Sequence, residues 1–323
     1  MKLLVTGGSG FIGSNYIRYV LKHHPEYKVV NLDLLTYAGN IVTTNDFKDN
    51  KNYKFVEGDI KDFNLVNNLF LEEKFDYVLN FAAESHVDRS IENPGIFIET
   101  NIQGTQVLLE AAKKNSIKKF LQVSTDEVYG TLGEEGLFTE NTPLAPNSPY
   151  SASKASADFM VRAYSETYNL PINITRCSNN YGPYQYPEKL IPLMISNSLS
   201  NVDLPVYGDG KNIRDWLHVE DHCSAIDLVL HKGQNGEAYN IGGNNEKTNI
   251  EVVKTILHAL DKPLTAIKYV QDRLGHDRRY AIDASKIRNQ LGWKPKYDFE
   301  SGIKETILWY KENRSWCSEV SSK

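Results

Sequence analysis

The chain has 323 residues, 41% of them hydrophobic and 24% charged, which is too long for one small core and ordinary for a soluble globular protein. A net charge of −5 excludes the basic field that nucleic acid or an anionic membrane surface requires. No run approaches ~18 uninterrupted apolar residues, so no membrane span is expected, and the first residues lack the apolar core of a signal peptide.

Taken in chain order, "KLLVT" (2–6) reads as a strand. The following "FIGSNYIRYVLKHH" puts Phe11, Ile12, Tyr16, Ile17, Val20 and Leu21 on one helical face. "KVVNLD" and "YKFVEGD" are strands, "FNLVNNLFLEE" a helix, "FDYVLNFAA" a fourth strand. A helical pattern from Ile96 to Lys114 leads into the strand "KKFLQVST", then a helix from Tyr150 to Tyr168 and the strand "INITRC". Strands alternating with helices imply an α/β fold: a Rossmann-type doubly wound parallel sheet covered on both faces. After Cys177 the texture changes. Pro183, Pro187, Pro192 and Pro205 interrupt it, with short elements at "LPVYG" and "RDWLHV" and helices at "IEVVKTILHAL" and "ESGIKETILWYKEN". This predicts a first domain over 1–178 and a smaller mixed α/β C-terminal domain over 179–323, with some later elements returning to the first. The tail "SWCSEVSSK" is expected to fray. Three distant cysteines (Cys177, Cys223, Cys317) argue against a disulfide framework and for a reducing cytoplasm.

"TGGSGFIG" spaces Gly7, Gly10 and Gly13 between a strand and a helix, where backbone N–H groups can approach a pyrophosphate at the helix start. Asp33 ends the second strand about 20 residues on, placed for the adenosine ribose hydroxyls. An acid there repels a 2′-phosphate, so the expected cofactor is NAD. Asp59 ends the third strand and either meets the adenine or lies in a solvated turn. Tyr150 and Lys154 stand four apart, on one helical face. A neighbouring ammonium and a positive nicotinamide are expected to lower the phenol from its usual ~10. Asp126 and Glu127 sit side by side in "VSTDEVYG" after a buried strand, where the bland reading is a pair of solvated acids. "HVEDHC" (218–223) resembles metal ligands, but the acid is at the wrong offset for H-E-x-x-H. No metal is expected, only a helix start capped by acids, and Cys177 is expected to pack as a small apolar residue.

"TGGSGFIG", "NFAAESHVDRS", "VSTDEVYG", "YSASK" and "NNYGPYQYPEKLIP" together resemble the extended short-chain dehydrogenase/reductases. "TDEVYG", "DLLTYAGN" and "GHDRRYAID" are most similar to the dTDP-glucose 4,6-dehydratases among them, and the likeness runs from Lys2 to about Tyr310. The resemblance implies a lyase that removes water from dTDP-glucose by internal hydride transfer through bound NAD, giving a 4-keto-6-deoxy sugar for deoxysugar (dTDP-rhamnose type) biosynthesis. Tyr150, supported by Lys154 and Thr125, would take the 4-hydroxyl proton. Glu127 would remove the carbon-5 proton and Asp126 protonate the leaving 6-hydroxyl. Asp126 must then stay protonated near neutral pH, ~3 units above a free Asp, or ~4 kcal/mol of differential destabilisation of its anion. Burial and an ionised neighbour can supply that.

The cofactor set implied is Gly7, Gly10, Phe11, Ile12, Gly13, Asp33, Leu34, Leu35, Thr36, Asp59, Ile60, Phe81, Ala82, Ala83, Ser85, Thr100, Tyr150, Lys154 and Asn180. The substrate set is Ser85, Thr125, Asn179, Lys189, Leu190, Pro205, Tyr207, Arg214, Asn249, Arg273 and His276, which makes 179–323 the nucleotide-sugar-binding part. Arginine suits a diphosphate because its planar fork donates two bonds at once. Relatives of this kind imply a homodimer built on the Tyr/Lys helix and its neighbour. The rivals are a UDP-sugar 4,6-dehydratase, a 4-epimerase, a decarboxylase, and a non-catalytic NAD-sensing or RNA-binding relative. An epimerase or decarboxylase needs no general acid such as Asp126, and a non-catalytic relative predicts loss of Tyr150, Lys154 or the carboxylates. One methyl group is worth only ~1–3 kcal/mol in a pocket, so the residues leave thymine against uracil open.

Overall fold

The computed structural model describes residues 1–272 and 277–321, so the expected contacts Arg273 and His276 lie outside the described residues. In chain order the strands are β1 (Lys2–Thr6), β2 (Lys28–Asp33), β3 (Tyr53–Glu57), β4 (Tyr77–Asn80), β5 (Lys119–Thr125), β6 (Ile172–Cys177) and β7 (Asn179–Tyr181). They continue with β8 (Leu204–Tyr207), β9 (Ile213–His218), β10 (Ala238–Ile241), β11 (Glu246–Thr248), β12 (Ile267–Val270) and β13 (Arg279–Tyr280).

Seven strands make one parallel sheet, ordered β10-β6-β5-β4-β1-β2-β3. Every residue of β5 and β6 is buried, as strands covered on both faces require. One face packs under the helices Phe11–His23 and Val219–Lys232, through Tyr16, Ile17, Val20, Ile226 and Val229. The other packs under Phe63–Glu73, Thr105–Lys114 and Pro149–Tyr168, through Val66, Phe70, Leu108 and Val161. Strand order runs outward in opposite directions from β1 and β4. That reversal opens a crevice beyond their C-terminal ends, the binding place of doubly wound sheets.

The remaining strands form smaller sheets. In one, β9 lies between β11 and β13 and also pairs with β7; in the other, β8 pairs with β12. Their core holds Tyr181, Met194, Trp216, Val253, Phe299 and Tyr310. Chain from the second half also completes the large sheet, since β10 pairs with β6. No helix among the described residues is long and apolar enough to cross a membrane.

Two expectations fail here. The helical pattern from Ile96 to Lys114 is not one α-helix. It divides into Pro94–Phe97, a π-helical turn Ile98–Gly104 and an α-helix Thr105–Lys114. Within that turn Asn101 points its side chain inward onto Glu84 N (2.9 Å), Glu84 O (3.0 Å) and Ser153 Oγ (2.8 Å). Thr105 Oγ1 donates to the Asn101 carbonyl at 2.7 Å, steadying the widened turn. The tail is ordered as far as Ser321. Arg314–Ser321 is a helix that buries Trp316 and Val320, one turn apart, with Trp316 packing on Tyr184 and Trp309.

Candidate active site

The glycine loop closes on itself. Gly7 has φ +69°, and a Cβ there would stand 2.7 Å from Ala82 N. A Cβ on Gly13 would overlap the Gly7 carbonyl oxygen and come within 2.9 Å of Gly8 Cα. The helix that follows begins at Phe11 with no side-chain cap among the described residues, which leaves backbone N–H groups for an anionic ligand. The buried Asp33 accepts from Ser9 N and Leu35 N, both at 2.8 Å, so one carboxylate ties the glycine loop to the segment after β2. This cradle fits a dinucleotide: small residues where backbone must approach, free donors at a helix start, and an acid at the ribose position.

From there a continuous cleft runs to the end of β5. Its walls include Phe11, Ile12, Leu34, Thr36, Asp59, Ile60, Phe81, Ala82, Ala83, Ser85 and Thr100, then Thr125, Asp126, Glu127, Tyr150, Lys154, Asn179, Asn180 and Lys189. Leu35, Leu190, Pro205, Tyr207, Arg214 and Asn249 are not among its walls. Residues that sequence reading passed over do line it: Tyr37, Ala38, Gly39, Ser124, Ser178, Gln185 and Tyr186. Asn101 was missed too. It fixes the Glu84 backbone against the helix carrying Tyr150, and only the break in helical periodicity could have signalled it.

β5 ends at Thr125, whose hydroxyl accepts from Glu127 N at 3.3 Å and so starts a short 3₁₀ turn, Asp126–Tyr129. The turn separates the two acids. Asp126 is 2% exposed, and its Oδ2 is buried with no hydrogen-bond partner among the described residues. Its Oδ1 lies 3.4 Å from the Thr125 hydroxyl. Burial pushes the Asp126 carboxyl well above the usual carboxylate range, and the Glu127 and Asp215 charges add to this, against a smaller pull from Arg214. Glu127 is only partly buried.

The helix Pro149–Tyr168 opens with proline and a capping box between Ser148 and Ser151, fixing its first turn at the cleft. That turn carries Tyr150, and Lys154 follows one turn on. The protein groups around the Tyr150 phenol act in the other direction from the lowering expected with a nicotinamide bound. Burial raises it well above its ordinary value, Glu127 raises it further, and only the Thr125 hydroxyl bond opposes them visibly. The Lys154 ammonium is fully buried and donates to the Val123 carbonyl at 2.7 Å, and burial lowers its own pKa.

Arg214 lies behind the acids rather than in the cleft. It donates to the Ile213 and Asp277 carbonyls at 2.7 and 2.8 Å and stacks on Tyr280. In "HVEDHC" the helix does begin at Val219, but its cap is the His218 ring, which accepts from Glu220 N at 3.4 Å. Asp221 turns instead to Lys296 N and Tyr297 N. Among the described residues one group has metal-ligand spacing, His24, Asp227 and His231; none of it lines the cleft, and the two imidazoles already bond to Asp227 and Tyr27.

A parallel sheet with this glycine cradle and a tyrosine–lysine helix packed on its face defines an extended short-chain dehydrogenase/reductase. The family model described as GDP-mannose 4,6 dehydratase matches residues 4–306. A dTDP-glucose 4,6-dehydratase of Xanthomonas campestris pv. campestris (strain B100) is 57% identical, over 98% of this chain and 95% of the relative. The crystal structure of a dTDP-glucose 4,6-dehydratase from Bacillus anthracis in complex with NAD superposes with a TM-score of 0.94 at 56% identity, covering 99% of both chains. One from Streptomyces venezuelae, with NAD bound, gives a TM-score of 0.96 at 48% identity, covering 99% of this chain and 100% of the other. The chain belongs to the GDP-mannose 4,6 dehydratase family and, within it, to the dTDP-glucose 4,6-dehydratases.

Proposed function

We propose that this chain, with NAD bound in the glycine cradle, converts dTDP-glucose to dTDP-4-dehydro-6-deoxyglucose and water. The observation that carries the reading is the unequal burial of Asp126 and Glu127. Neighbouring carboxylates held apart in proton affinity are an acid and a base, and a dehydration needs both. Bound NAD supplies a hydride acceptor for carbon 4 and returns that hydride at carbon 6.

The chain's own residues move protons. Tyr150 receives the 4-hydroxyl proton while Thr125 holds the 4-oxygen. The ketone so formed acidifies carbon 5, and Glu127 takes that proton. Asp126 gives its proton to the 6-hydroxyl, which leaves as water. Glu127 returns its proton to carbon 5. At the end Tyr150 has gained one proton and Asp126 has lost one, so a proton passes back between them. Thr125, hydrogen-bonded towards both, stands on the short path.

The nucleotide-sugar is read as lying over the part after residue 179, with Asn179 and Lys189 at the cleft and Arg214 holding the Asp277 loop behind it. Two further readings go with this one. The three free cysteines suit a reducing cytoplasm. Exposed Phe159 on the Tyr150 helix suits a homodimer; sedimentation as a 36.7 kDa species at micromolar concentration would exclude it.

The deciding experiment mixes purified protein with dTDP-glucose or UDP-glucose, without added NAD, and follows water loss by mass spectrometry. Water loss faster from dTDP-glucose is expected. No water loss from either, even with NAD supplied, overturns the dehydratase reading.

A further inference from the structure

We propose that His222 is a positioning residue for this reaction, fixing which end of the Asn180 amide faces the cleft. The inference rests on the function proposed above but begins from geometry alone. β7 pairs with β9, setting Asn180 opposite Leu217, and the helix Val219–Lys232 starts directly after β9. His222 therefore stands in the first turn of that helix, next to Asn180. Its ring is 0% exposed, and its Nδ1 is 2.8 Å from Asn180 Oδ1.

The amide's direction follows from its other partner. Asn180 Nδ2 donates to the Ser178 carbonyl at 2.9 Å, so the atom facing His222 is the oxygen. His222 Nδ1 must then carry the hydrogen. A third contact, Gln185 Nε2 to the Asn180 carbonyl at 2.9 Å, holds the backbone. Asn180 lines the cleft, and this arrangement turns its amide hydrogens towards the Ser178 carbonyl and the Cys177 thiol, both also at the cleft wall.

The ring does more than fill space. Its Nε2 is buried with no partner among the described residues, a penalty that an apolar side chain of similar size would not carry. Burial also lowers the imidazole to about 3, so the ring stays neutral and its tautomer is decided by Asn180 alone. Without the Nδ1 donor, Asn180 Oδ1 loses its buried partner and the amide is free to rotate, presenting an acceptor where the cleft now has a donor.

The test has two arms. The first needs no substrate. Histidine nitrogen-15 chemical shifts of the wild-type protein should show His222 as neutral Nδ1–H tautomer, unchanged from about pH 5 to about pH 9. An Nε2–H tautomer, or titration in that range, overturns the proposal. The second arm compares His222→Asn, His222→Gln and His222→Leu with dTDP-glucose. Asparagine can present an amide N–H at the δ position, glutamine only one atom further out, and leucine none. The Gln and Leu variants should lose roughly 10- to 100-fold in kcat/KM measured with saturating NAD, and the Asn variant should recover most of it. Losses that follow missing volume, with Asn worst and Leu mildest, would make His222 a packing residue and defeat the proposal. Failure of the wild-type protein to dehydrate dTDP-glucose would instead defeat the function, and the tautomer result would stand apart from it.

Discussion

Replacing Asp126 with asparagine should slow the enzyme and stabilise it at once. The side chain is 2% exposed, and its Oδ2 has no partner among the described residues. Removing the transferable proton should lower kcat by ~10²–10⁴-fold, which corresponds to ~3–5 kcal/mol in the barrier. Steps before loss of the 6-hydroxyl do not use that proton, so reduced nicotinamide should still form on the enzyme when substrate is added. The stability effect has a definite sign. Asp126 has a raised folded pKa, so below the unfolded value of ~3.9 the carboxyl is neutral in both states and costs nothing through ionisation. As pH rises from there, the unfolded chain ionises while the folded chain keeps its proton, and stability falls until the folded pKa is reached. An asparagine side chain cannot ionise and escapes this loss, less whatever its amide N–H forfeits in the same pocket. The assay is thermal unfolding of both proteins across pH. The gap between them should be smallest near about pH 4 and widen towards about pH 8 in favour of Asp126→Asn. A gap independent of pH, or kcat unchanged within a few-fold, would refute the account of Asp126 as a buried acid.

Tyr150→Phe should abolish reduced-nicotinamide formation and cut turnover by ~10²–10⁴-fold while NAD content, read from the absorbance of the purified protein, is unchanged. Gly13→Ala should lower NAD content and destabilise by ~1–3 kcal/mol, because its Cβ meets backbone of the glycine loop rather than a movable side chain; calorimetry with and without added NAD separates the two effects. Trp316→Ala should cost ~3–5 kcal/mol, seen as a lower thermal midpoint with kcat little changed, since the tail helix packs on Tyr184 and Trp309 and not on the acids.

What was legible in the sequence followed periodicity and local chemistry. β1 to β6 could be placed because each is a short apolar run between turn signals, and Gly7, Gly10, Gly13 and Asp33 because doubly wound sheets bind at their C-terminal ends, while most other cleft residues came only through the family resemblance. β10 was not legible. "AYNI" is four residues long and gains its place only by pairing with β6, a long-range contact that leaves no local period. The π turn was hidden for a related reason. Within it Asn101 reaches Glu84 and Ser153, and both contacts are tertiary. Spacing shows Lys154 on the same face as Tyr150, but not that its ammonium also donates to Val123 O, which is a tertiary contact. The order of the two acids was the opposite case. It came through the family resemblance, and the turn begun by Thr125 does bury Asp126 and leave Glu127 partly exposed.

The late arrival of β10 has a consequence during synthesis. β6 ends at Cys177 and its outer partner is complete only at Ile241, 64 residues later (241 − 177). Ribosomes add ~5–20 residues per second, so the fully buried strand "INITRC" spends roughly 3–13 s after emerging with one edge unpaired. The helix Val219–Lys232, which covers one face of the same sheet, is made within that interval. A bare, apolar, parallel edge is a template for any other extended chain nearby. Slow codons or a stalled ribosome between residues 178 and 241 should therefore yield aggregates rather than a folded first half, and a fragment ending at Ser178 should need a chaperone to remain in solution.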